Sequence, residues 1–145
     1  MGARYREMEI RTATPEMVIV KMYEGALRFI RAARAHQEAG HIAGRATSIA
    51  KALAIVNELQ HSLNLERGGE IARNLDSLYF FVTDRLLEAN VRGSIPPLDV
   101  AAGILSTLNE AWVEIAKRPS GSPAELGDSV AEAAQSALEK SLSAR

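Results

Sequence analysis

The chain has 145 residues, 47% of them hydrophobic and 24% charged, with a formal net charge of -1 and no cysteine. That length is about one domain's worth and buries a core without metal or disulfide support. The missing cysteines exclude disulfides, thiolate metal sites, iron–sulfur ligation and cysteine nucleophiles, and the near-neutral charge opposes a surface built for nucleic acid.

Residues 1–13 carry no sustained helical stripe. Tyr5, Met8 and Ile10 stand as apolar anchors among charges, which suits an N-terminal arm. No apolar run is long enough to cross a bilayer, so membrane insertion is not expected. The charged start, MGARYREMEIR, does not read as a signal peptide, and a cytoplasmic location is expected. The first helix opens at Thr14, a cap for free N–H groups. Pro15 follows in the first helical position and Glu16 beside the positive dipole end. Val18, Met22, Ala26, Phe29 and Ala33 recur at three- and four-residue steps, and Gly40 closes the helix. A second helix is expected from about Ile42 to Leu63. It carries two apolar rows, one through Ala52, Ile55 and Leu59, the other through Ile49, Leu53, Val56 and Leu63. So wide an arc belongs either to a central helix or to one that offers a groove.

Asn64–Gly69 breaks the pattern. The third helix is expected from about Glu70 to Asn90, with Ile71, Leu75, Leu78, Val82 and Leu86 as its stripe and Tyr79 and Phe81 widening it. Successive helical residues turn about 100°, so at least one of Tyr79, Phe80 and Phe81 must lie at the periphery, where aromatic rings suit an interface. After a break at Arg92–Pro97, the fourth helix carries Ile104, Leu105, Leu108, Trp112 and Ile115 to about Lys117. Short connections between long helices make antiparallel neighbours. The expected fold is therefore all-α, an antiparallel up-down four-helix bundle over residues 14–118. It is preceded by the arm of residues 1–13 and followed by a linker and a short, thinly striped C-terminal fifth helix within 119–145. That last stripe runs through Leu126, Val130, Ala133, Ala134 and Leu138.

Chemistry is sparse. His36, His41 and His61 lack metal-ligand spacing, there is no HExxH or Glu-x-x-His pair, and the Arg67–Glu70 stretch RGGE is not a phosphate loop. The acidic residues alternate with basic ones on helix surfaces, and no serine sits in a nucleophile elbow. No enzyme activity, metal or cofactor is expected.

Several ordered stretches identify a family. TATPEMVIVKMYEGALRFI (12–30), AIVNELQHSLNLERGGEIARNLDSLYFFV (54–82), RLLEANV (85–91) and LNEAW (108–112) closely resemble the flagellar secretion chaperone family FliS. Tyr5 falls where the family carries a tyrosine. MYEG stands for the family's LYDG-like form, and Phe81 replaces the second aromatic of its LYxY, keeping the ring and losing a hydroxyl. The resemblance spans about residues 5–117 and leaves the segment from Pro119 onward uncovered.

The resemblance implies a cytosolic export chaperone. It would bind the disordered C-terminal segment of flagellin, prevent premature polymerisation, and assist delivery to the flagellar type III export gate. The partner would fold as helices on apolar grooves. The partner-binding residues so assigned are Tyr5 and Ile10 of the arm, Tyr23 of the first helix, Ile49, Leu53 and Val56 of the second, and Leu75, Tyr79, Val82 and Leu86 of the third. The competing reading is a helical-bundle adaptor or structural protein that self-associates, as a weak homodimer, through the same rows. Affinity for a flagellin peptide separates the two.

Overall fold

The computed structural model describes residues 14–117. They form four helices: α1 (Pro15–Glu38), α2 (Ile42–His61), α3 (Leu65–Arg92) and α4 (Pro96–Lys117). The arm and the extension beyond residue 117 lie outside the described residues. α1 packs on α2 and α4, and α3 packs on the same two, so the helices form a ring in chain order. Connections of three residues force each helix to run antiparallel to the one before it. No strand occurs among the described residues, and no described helix is long and apolar enough to cross a membrane.

α1 begins as its sequence dictates. The Thr14 Oγ1 accepts the Met17 N–H at 3.2 Å, Pro15 occupies the first turn, and Gly40 beyond the last turn has φ 75°. Its buried stripe is rotated from the expected one. Val20, Tyr23, Ala26, Ile30 and Ala33 face the core, Met22 and Phe29 pack at its edge, and Val18 is exposed. The reason is that α1 contacts two neighbours at once, so its buried arc is centred between α2 and α4. A Cβ at Gly25 would lie 3.2 Å from the Ile55 Cδ1, so the glycine lets α1 and α2 approach closely.

α3 starts earlier than the glycine pair suggests. Asn64 caps an extra turn by accepting the Arg67 N–H at 3.0 Å. The expected break survives as a kink inside the helix at Gly69, with φ 56° and ψ -132°. A left-handed Gly93 ends α3, and α4 opens one residue before the expected Pro97. The core is a continuous cluster that includes Ile30, Ile49, Val56, Leu78, Val82, Leu86, Leu98, Leu105 and Leu108. Each such side chain contributes about 1.5–3 kcal/mol through burial.

Polar groups tie one end of the ring. Arg34 Nε donates to Asp99 Oδ1 at 2.9 Å, joining the end of α1 to the start of α4. Gln37 Nε2 donates to the Gly93 carbonyl at 2.7 Å. Arg45 reaches both the Gln37 Oε1 at 2.5 Å and the Asn90 carbonyl at 2.9 Å.

Candidate partner-binding grooves

Two concave surfaces stand out among the described residues. The larger, about 730 Å³, runs along the outside of α2 and α3. Ala50, Leu53, Ala54 and Asn57 form one wall, and Asp76, Phe80, Thr83 and Leu87 the other. Gln60 Nε2 donates to Asp76 Oδ1 at 2.9 Å across its lower mouth, which occupies one oxygen of the carboxylate lining the groove. Phe80 and Leu87 are 64% and 48% exposed, and Val91, one turn beyond, is 85% exposed. Together they form an apolar row on the solvent side of α3.

The smaller hollow, about 420 Å³, sits at the opposite end of the bundle from the Arg45 network. The start of α1 (Pro15, Ile19), the end of α2 (Leu59, Leu63), the kinked start of α3 (Gly68, Ile71, Leu75, Tyr79) and Trp112 of α4 meet there. A Cβ at Gly68 would come 2.5 Å from that of Ala72, so the bend at Gly69 leaves room for glycine only. At its inner limit the Tyr79 hydroxyl meets the Tyr23 hydroxyl at 2.6 Å. Burial pushes the Tyr79 hydroxyl up to about 12, against the opposing effect of the Tyr23 hydrogen bond. Burial, followed by the proximity of Tyr79, holds Tyr23 well above the ordinary tyrosine range. Both are neutral phenols at physiological pH. The Trp112 indole N–H is buried beside them and is directed toward the Tyr23 hydroxyl, where it opposes the upward shift.

The sequence-assigned residues distribute unevenly. Leu53 lines the α2–α3 groove, and Leu75 and Tyr79 edge the hollow. Tyr23, Ile49, Val56, Val82 and Leu86 are enclosed in the core and do not face solvent. Each lies on a strong apolar stripe, and such stripes are what neighbouring helices cover first. Tyr5 and Ile10 lie outside the described residues. The residues that sequence reasoning left out are Phe80, Leu87, Val91, Ile19 and Trp112. Phe80 is the peripheral ring that the aromatic triplet requires. Leu87 and Val91 follow it at seven and eleven residues, a second apolar row legible from spacing and interrupted by Asp84.

Among the described residues no group of three or more histidine or carboxylate side chains is placed to hold a metal ion.

Comparison with known proteins places this arrangement. The family model described as flagellar protein FliS matches residues 1–119. The chain is 35% identical over 115 residues to the flagellar secretion chaperone FliS of Salmonella typhimurium, covering 79% of this chain and 85% of that one. It is 34% identical over 106 residues to the flagellar secretion chaperone FliSB of Pseudomonas aeruginosa, covering 73% and 84%. Its identity to the flagellar secretion chaperone FliS of Bacillus subtilis is 29% over 108 residues, covering 74% and 80%.

Proposed function

The chain belongs to the FliS family of flagellar proteins, and from that premise we propose that it is an export chaperone for flagellin. It binds the C-terminal segment of flagellin in the cytoplasm, blocks its premature polymerisation and assists its delivery to the flagellar type III export apparatus. It is a binding protein and not an enzyme. Residues 14–118 form the chaperone domain, with 1–13 as an arm and 119–145 as an extension.

The observation that carries this reading is the α2–α3 groove, lined by Leu53 with Phe80 and Leu87 exposed along it. An amphipathic helix from a disordered client seats its apolar face in such a groove. Burial of apolar area then offsets the cost of ordering the segment. The hollow bounded by Leu75, Tyr79 and Trp112 supplies a second anchor for a client chain that wraps around the bundle end. Tyr5 and Ile10 of the arm take part in handing the client to a component of the export gate.

Size-exclusion chromatography with light scattering tests the proposal. Mixed with flagellin, the chain should hold it in a soluble 1:1 complex. Flagellin that polymerises unchanged in its presence overturns the reading. A chain that instead forms a homodimer sensitive to Phe80→Asp, with no flagellin affinity, supports the self-associating adaptor.

A further inference from the structure

The family match stops at residue 119, and residues 120–145 lie outside it. Their place of departure is fixed by the fold. α4 ends at Lys117, and Trp112 shares the end hollow with Pro15, Ser62 and Asn64. The chain therefore leaves the bundle at the end where α2 passes into α3. The α2–α3 groove has its mouth at that same end, beside Gln60, His61 and Asp76.

Length and pattern match as well. Residues 118–123 read RPSGSP, and six extended residues reach at most about 20 Å. A helix is about 10 Å across, so this stretch is long enough to cross the end of α3, which stands between α4 and α2 in the ring. The groove walls run from Ala50 to His61 and from Asp76 to Leu87, each about 17 Å at helical rise. In the segment that follows, Leu126, Val130, Ala134 and Leu138 repeat at four-residue intervals. As a helix they would make a single apolar face about 18 Å long. Ala50 and Ala54 on the α2 wall permit a close backbone approach, while Leu53, Phe80 and Leu87 supply apolar contact.

We infer that residues 124–138 seat in the α2–α3 groove when no client is bound, so that the extension is an intramolecular competitor for that surface. The regulatory part of this inference rests on the groove being the flagellin site; the docking itself does not. A covered groove lowers the apparent client affinity by the fraction of time it is open, about tenfold if it is open one tenth of the time. The extension would thereby keep weakly apolar ligands off the chaperone and yield to a client that buries more surface.

The test uses the full chain and a full-length V130D/L138D variant. Amide hydrogen exchange is followed over residues 50–61 and 76–87, and affinity is measured for a synthetic C-terminal peptide of the flagellin encoded in the same genome. The expected result is severalfold faster exchange along both groove walls in the variant, and about tenfold tighter peptide binding. Equal exchange in the two chains overturns the docking. Exchange that differs while peptide affinity stays equal overturns the competition. If neither chain binds the peptide, the chaperone reading fails, while a difference in exchange still establishes the docking. Protection that grows with protein concentration assigns the groove to a second copy and overturns the inference.

Discussion

The phenol oxygens of Tyr23 and Tyr79 meet at 2.6 Å across the diagonal of the bundle, joining α1 to α3, two helices whose backbones do not pack on each other. Their rings lie 6.5 Å apart at a tilt of 45°. At the inner edge of the end hollow one of these buried hydroxyls donates to the other.

Removing either hydroxyl strands the other. Tyr23→Phe and Tyr79→Phe should each cost about 1–3 kcal/mol of folding stability, the penalty for a buried polar group without a partner. The double Phe variant should cost less than the sum of the two, because it removes donor and acceptor together. Urea denaturation of the four chains provides the cycle; strict additivity would mean that the hydroxyls do not depend on each other.

Alkaline pH should weaken the fold through the same pair. Both folded-state values lie above the unfolded value of about 10, with Tyr79 at about 12. The unfolded chain therefore releases these protons first. The stabilisation is complete below about pH 10 and is lost as pH rises through the folded values. Denaturation midpoints measured from pH 9 to 12 should fall in the native chain. The fall should be shallower in the double Phe variant once the other tyrosine and the lysines are accounted for.

Surface and core residues of α3 should separate cleanly. Phe80→Asp removes an exposed ring and should leave stability within about 0.5 kcal/mol. It should weaken binding of the flagellin segment by tenfold or more, the behaviour of an interface anchor. Leu86→Ala empties the core and should cost about 2–5 kcal/mol of stability. Calorimetric titration beside thermal melts distinguishes the two; unchanged client affinity in Phe80→Asp removes the α2–α3 groove as the binding surface.

Two glycines should respond differently to asparagine. Gly93 has φ 60° and ψ 46°, a left-handed backbone that asparagine tolerates, though its Cβ would come 3.0 Å from the Arg45 Nη1, which must give way. Gly69, at φ 56° and ψ -132°, lies where any side chain is strained, and Gly69→Asn should cost about 1–3 kcal/mol. A melting temperature for Gly69→Asn equal to that of the native chain would show that the kink relaxes without cost.

The bundle was legible in the sequence because caps, breaks and apolar periods agreed. Thr14–Pro15 and Gly40 frame α1, and Pro96–Pro97 with Asp99 open α4. The start of α3 was less legible, since adjacent glycines read as a turn until Asn64 is seen capping a helical turn ahead of them. Groove residues were harder still. Periodicity reports which face is most apolar, and in a ring of four helices that face is the one enclosed, as Val56 and Leu86 show. A weaker second row on an otherwise polar face, such as Phe80, Leu87 and Val91, is what remains for a partner. Its pattern is diluted by Asp84.

The two ends of the bundle are fastened differently. At one, Arg45, Gln37, Asn90 and Gly93 are laced together across three helices, with Arg34 and Asp99 binding the fourth. At the other, α3 is kinked at Gly69 over an apolar hollow, and the Gln60–Asp76 and Tyr23–Tyr79 bonds are cross-helix polar ties near it. Amide exchange should therefore be faster around the Gly69 kink than around Arg45 and Asn90, because fewer polar ties must break for the helices to part there.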